Sequence, residues 1–286
     1  MADYLWVGTD TGNEGVWAEA DNWSPAAIPG ASDTAFLVTG NQDVTGAVGL
    51  TGITRIVVGP QYTGSIGSST TALDIDATDL DYAGEGGGAY FKGTYTTVTV
   101  QETGTGTAAL TFDDSTITTL RIQGGKGTIT VDTGSAITSV IDQIGADNVT
   151  LVIEADSAMV GCTLTMDSGI VEMSEAIPNI TVYGGELRTL ISDASDVTTV
   201  TLLEQYGGKV RWRPTASCTL DELILYTGLF DSRDSTAPTF TIANTTVHQN
   251  GLIDERSGLQ NAVYTYPLVM EGGEVRYDAG RAITIA

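Results

Sequence analysis

Along the second half of the chain, short apolar runs alternate with glycine-marked breaks. Ile180-Thr181-Val182-Tyr183 precedes Gly185, Val200-Thr201-Leu202-Leu203 precedes Gly208, Leu223-Ile224-Leu225-Tyr226 precedes Gly228, Thr245-Thr246-Val247 precedes Gly251, and Leu268-Val269-Met270 precedes Gly273. Runs of this length, rich in β-branched residues and closed by turn residues, predict strands. Two residues past each glycine stands another apolar side chain, in turn Leu187, Val210, Phe230, Ile253 and Val275, with mostly polar or charged neighbours. That alternation predicts a second strand with one buried face.

The marker glycines are 23, 20, 23 and 22 residues apart. A unit of strand, glycine bend, strand and polar turn cannot bury its apolar face alone, so successive copies must stack. Propeller blades need about 40 residues and leucine-rich repeats need their Leu/Asn consensus. The pattern therefore predicts an all-β fold, a single-chain parallel β-helix. Strand signals at Ile53–Val58, Thr96–Val100, Leu120–Ile122, Thr128–Val131 and Val149–Ile153 extend it toward the N-terminus at less regular spacing. At about 22 residues per rung, residues 41–286 make about eleven rungs, a stack of roughly 50 Å. Residues 1–40 differ, holding Trp6, Trp17 and Trp23 of the chain's four tryptophans together with Pro25 and Pro29. They predict an N-terminal cap that covers the open edge and core of the first rung.

Charge narrows the partners. With 36 acidic against 12 basic residues the formal net charge is −24, which argues against nucleic acid, since phosphate contacts need a basic surface. An acidic coat does keep a β protein soluble and its strand edges apart. No apolar run reaches the length of a membrane span, and Met1-Ala2-Asp3-Tyr4 opens without the basic and apolar regions of a secretory signal, so synthesis in a cytoplasm is expected. Cys162 and Cys218 form no CxxC and are expected as buried free thiols.

Candidate chemistry sits on the strand after each glycine, where positions one, three and five past the marker are expected to point outward. The first column reads Glu186, Lys209, Leu229, Leu252, Glu274; the second Arg188, Arg211, Asp231, Asp254, Arg276; the third Leu190, Arg213, Arg233, Arg256, Asp278. Stacked Asp231 and Asp254 would lie about 5 Å apart, near the carboxylate separation of retaining glycosidases. The neighbouring arginines Arg213, Arg233 and Arg256 would hold both ionised, whereas a general acid needs a raised pKa, so no catalytic residue is assigned. Exposed Leu229 and Leu252 rimmed by Arg211, Arg213, Asp231, Arg233, Asp254 and Arg256 have the anatomy of a protein contact. A solvated charge ladder with two incidental leucines accounts for the same residues equally well.

The stretch Asp74, Asp76, Asp79, Asp81 and Glu85 is the densest in acid and would suit calcium, but Leu73, Ile75 and Ala77 alternate with it, which favours an ordinary strand with an acidic outer face. His248 is the only histidine, beside Asn250-Gly251, so no multi-histidine metal site can form within one chain. No phosphate-binding loop or dinucleotide fingerprint is present, and no metal or cofactor is expected.

The opening pattern Trp6-x-Gly8, Gly15-x-Trp17, Asn22-Trp23-Ser24, Pro29 and Asp33, with Gly-Gly-punctuated rungs such as Tyr183-Gly184-Gly185-Glu186-Leu187-Arg188 and Glu271-Gly272-Gly273-Glu274-Val275-Arg276, resembles the β-helical structural proteins of bacteriophage virions. The resemblance implies a homo-oligomer, commonly a trimer, on the outside of a particle and in contact with a major capsid or other virion protein. It carries over no catalytic motif. Within that class a head decoration protein is expected over a glycan-cleaving tailspike, because the chain has room for a cap and a helix only. A polysaccharide-binding or polysaccharide-cleaving spike and a fragment of a bacterial adhesin are the alternatives.

Overall fold

The computed structural model describes residues 2–47, 49–101, 108–191, 199–214, 218–233, 240–256, 262–264, 268–276 and 284–285. Among them the regular elements are all strands, joined by turns and bends, apart from one 3-10 turn at Ala20–Asn22. It forms the parallel β-solenoid that the glycine spacing predicts, with about nine turns. The even pitch predicts about eleven, a number that counts the stretch after residue 256, of which few residues are described, as full rungs. Contacts divide the chain into two compact units, Met1–Thr138 with Asn148–Leu151, and Ser139–Asp147 with Val152–Ala286.

In the first unit, Asp3–Trp6 lies parallel on Thr34–Gly40, and from there each strand lies parallel on its predecessor. Successive partners are Thr34, Arg55, Asp79, Thr97 and Thr119, steps of 18 to 24 residues. Register fixes which side chains meet. One residue along, Ala35, Ile56, Leu80, Val98 and Leu120 stack in a single column, all fully buried. A second wall is built the same way from Leu73, Phe91, Phe112 and Val131. Each fully buried aliphatic or aromatic side chain contributes roughly 1.5–3 kcal/mol, and no rung can gain that without its neighbours.

The second unit repeats the scheme. Its ladder runs through Val140, Thr163, Asn179, Leu202, Glu222 and Asn244, in steps of 16 to 23 residues. Ile141, Leu164, Ile180, Leu203 and Leu223 form one buried wall. Val171, Leu187, Val210, Phe230 and Ile253 form the other, so the inward assignment of the residues two past each glycine holds. Val275 continues that column in register with Ile253 and is part-buried.

The marker glycines serve two different ends. Gly208 takes φ +64°, and a Cβ there would also lie 2.5 Å from the Gly185 carbonyl oxygen one rung away. Gly273 has no left-handed φ, but a Cβ would run into the Val247 side chain and lie 2.6 Å from the His248 carbonyl oxygen. At the same bends the chain buries two amides. Gln143 Nε2 donates to the Ser168 carbonyl at 3.0 Å, and Gln205 Nε2 donates to the carbonyls of Gly207, Gly208 and Leu229 at 3.2 Å. These carbonyls face the interior where the strand direction changes, and the amides supply the donors the ladder cannot.

The N-terminal tryptophans are packed together. Trp6 and Trp17 both meet Trp23 edge to face, at centroid distances of 5.0 and 4.6 Å, and Trp23 Nε1 donates to the Trp17 carbonyl at 2.8 Å. Buried Asn22 ties the loops around them, donating to the carbonyls of Asn13 and Val16 and accepting from the Asp10 amide. Trp6 pairs with Trp23 across the short antiparallel contact at Trp23–Ser24.

Candidate functional site

The columns read from the sequence are real register columns of the second unit. Glu186, Lys209, Leu229, Leu252 and Glu274 are successive partners, and so are Arg188, Arg211, Asp231, Asp254 and Arg276. Arg213, Arg233 and Arg256 follow two residues on, just past the ends of the strands; Asp278 lies outside the described residues. Seven of the chain's twelve basic residues therefore stand on one face.

Within this face the structure corrects the outward placement of the two aspartates. Asp231 is fully buried and Asp254 is only 3% exposed. The reason is local: an arginine two residues on folds its fork back over the carboxylate. Arg233 donates to Asp231 through Nε at 2.8 Å and Nη2 at 2.9 Å, with its backbone N–H on the same carboxylate at 3.2 Å. Arg256 does the same to Asp254, at 2.9, 2.7 and 3.2 Å. A planar guanidinium matches a carboxylate in this bidentate way, and each arginine lies in the turn just past the strand that its aspartate ends.

Adjacent clasps are linked across rungs. Arg233 Nη1 reaches Asp254 at 3.7 Å, while Lys209 Nζ and Arg213 Nη2 reach Asp231 at 3.6 and 3.7 Å. Glu186 is shared between Arg188 and Arg211, Arg188 also holds Glu172 at 2.5 Å, and Arg276 pairs with Glu274. Leu229 and Leu252 are part-buried in the first column rather than fully exposed.

Electrostatics settles what the two aspartates can do. The Arg256 fork lowers the Asp254 pKa to about 2 against the opposing effect of burial. For Asp231 burial pushes the pKa up, but the Arg233 fork, the Arg233 N–H and the charges of Arg233 and Arg213 outweigh it and leave the carboxyl below its ordinary value. Both are ionised at neutral pH, and neither can donate the proton that glycoside cleavage requires.

The other sequence candidates fall as follows. Leu73–Tyr82 is a strand whose Leu73, Ile75, Ala77, Leu80 and Tyr82 are buried while Asp74, Asp76, Asp79 and Asp81 stay part-exposed. Arg55 pairs with Asp81, and Asp76 accepts the Thr94 amide. Among the described residues no three His, Cys, Asp or Glu side chains converge as a cation would require. Cys162 and Cys218 are buried free thiols, their pKa values pushed up to about 12 by burial.

Sequence reasoning missed one constellation. Tyr183, Tyr206, Tyr226 and His248 form an outer column of nearly parallel rings just before the glycine bends, with centroid spacings of 5.0, 4.4 and 4.5 Å and interplanar angles of 19, 11 and 2°. His248 Nδ1 is 2.8 Å from Glu271 Oε2, and the Tyr206 hydroxyl donates to Glu204 at 3.3 Å. The spacing of the three tyrosines, each two residues before a marker glycine, was the available signal.

Comparisons of the chain with family models, with curated proteins and with solved structures return no match.

Proposed function

We propose that this chain is a non-enzymatic structural protein of a bacteriophage particle, a decoration protein that assembles as a homo-oligomer on the outer surface against a major capsid or other virion protein. One observation carries the reading. The chain has a formal net charge of −24, yet one face gathers seven basic side chains around two part-buried leucines and neutralises its own carboxylates. Copies repel one another everywhere except where such a face meets acid.

Arginine-rich columns complement acidic outer strands such as Leu73–Tyr82 of another copy, so the contact is between unlike faces. A contact between unlike faces repeats from copy to copy and closes into a ring where its rotation allows, and the resemblance to β-helical virion proteins favours three members. A trimer is the expected state. Its apolar centre is Leu229 and Leu252, and its edge is Arg211, Arg213, Arg233 and Arg256 with the clasped aspartates.

The test is the double variant Leu229→Glu, Leu252→Glu. Light scattering after size exclusion should give a trimer for the parent and a monomer for the variant, with unchanged circular dichroism and melting temperature. The parent should also cosediment with tailed-phage capsids from its own host, and the variant should not. A monomeric parent, or a variant that remains trimeric, refutes the assignment of this face.

A further inference from the structure

The column Tyr183, Tyr206, Tyr226 and His248 stands on the other side of the glycine bend from the arginine face and takes no part in it. Stacking of this kind stabilises neighbouring rungs by roughly 0.5–1.5 kcal/mol per pair, which accounts for the packing but not for the exposure. Tyr183 is 54% exposed and Tyr206 36%, while Tyr226 and His248 are part-exposed. Monomers rarely hold a row of large aromatic side chains at the surface.

Which ligand fits follows from what the rings present. Tyr206 is stacked on both faces by Tyr183 and Tyr226, and Tyr226 on both by Tyr206 and His248. The electron-rich faces that attract cations are thus taken, and ring edges, which carry the positive end of the quadrupole, point outward with the hydroxyls. A cation therefore cannot lie on the face of either middle ring. Polyanions are opposed by Glu204 beside Tyr206, by Glu271 on His248, and by the chain's overall charge. Asp167, exposed, precedes Tyr183 in the same column, one residue past the Met166–Val182 register pair.

A ligand for this strip must both donate to carboxylates and accept from hydroxyls and ring edges. It must also be long and one side chain wide. We propose that the column is a binding site for a neutral polysaccharide lying along it, its hydroxyls exchanging hydrogen bonds with Tyr183, Tyr206 and Tyr226 and donating to Glu204, Glu271 and Asp167. The hydroxyl of Tyr206 is preset for this. It already donates to Glu204 at 3.3 Å, which fixes its oxygen to accept a hydrogen bond from a sugar hydroxyl.

The experiment is affinity electrophoresis of the full chain in native gels containing dextran, mannan, galactomannan or hydroxyethylcellulose, with alginate as the polyanionic control. Retardation is expected in at least one neutral gel and not in alginate. The pair Tyr183→Ala, Tyr206→Ala should abolish it. Because that pair disturbs the stack, Tyr183→Phe with Tyr206→Phe keeps the rings and removes only hydroxyls, and should weaken binding about tenfold, the worth of roughly one hydrogen bond. Leu229→Glu with Leu252→Glu should bind as the parent does, so failure of the arginine-face assignment and failure of this site are told apart. Free migration of the parent in all four neutral gels overturns the proposal. So does a phenylalanine pair that binds like the parent, or equal retardation by alginate.

Discussion

Asp231 offers the sharpest check on the arginine face, because its burial contradicts the outward pointing that strand periodicity assigns to it. Replacing it with Asn keeps the size and one acceptor but removes the charge. Lost are the hydrogen bond from Arg233 Nη2 at 2.9 Å, which would now face an amide donor, and the attraction of Lys209 and Arg213 at 3.6 and 3.7 Å. A hydrogen bond to a charged group contributes about 1.5–3 kcal/mol net, and removing one partner of a fully buried pair costs about 3–5 kcal/mol. Here the arginine side is 32% exposed, so water takes over part of what it loses. The expected destabilisation is about 2–3 kcal/mol, against less than about 0.5 kcal/mol for Asp79→Asn on the acidic strand. Urea unfolding followed by far-UV circular dichroism measures both. A solenoid can lose rungs separately, so near-UV signal from Trp212, stacked on Phe230 at 6.0 Å, reports on the lesion itself. An Asp231→Asn variant as stable as Asp79→Asn would show that the clasp does not form in solution.

Acid should weaken this face in a defined window. Because the folded pKa values of Asp231 and Asp254 are depressed, their stabilisation is complete above the unfolded value near 4 and is lost as pH falls toward about 2. For Asp254 that loss is about 1–2 kcal/mol after allowing for the 47% exposure of Arg256, and Asp254→Asn should make the fall in melting temperature between about pH 5 and about pH 2.5 smaller than the parent's, while Asp231 keeps its share. Phe230→Asp places an unpaired charge in the stacked wall and should cost more than about 4 kcal/mol; a melting temperature equal to the parent's would refute the inward column. Cys162 and Cys218, with pKa values of about 12, should resist Ellman's reagent at pH 8, where the thiolate is about one part in ten thousand, and react only in denaturant. Immediate labelling of either thiol would refute its burial.

Periodicity made the fold readable before any coordinates. Glycines about 22 residues apart, each followed at the second position by an apolar residue, leave stacking as the one way to bury Leu187, Val210, Phe230 and Ile253, and the register pairs follow that spacing. The membership of the arginine columns was equally legible, since a parallel ladder brings equivalent positions side by side. What lies along a strand is carried by its residues in order.

Burial and facing depend on side-chain conformation, and these only the tertiary structure decided. Asp231 and Asp254 occupy outward positions yet are covered, because arginines two residues away fold back onto them. Leu229 and Leu252, which alternation leaves exposed, are part-buried. The aromatic column needed still more: a register shift between Leu225 and Thr227 moves the fourth ring to His248, three residues before its glycine instead of two, and breaks the spacing by which Tyr183, Tyr206 and Tyr226 could have announced it. Residue order along the chain determined which side chains are neighbours on successive rungs; rotamers, one inserted residue and the close spacing of stacked strands determined which of them touch.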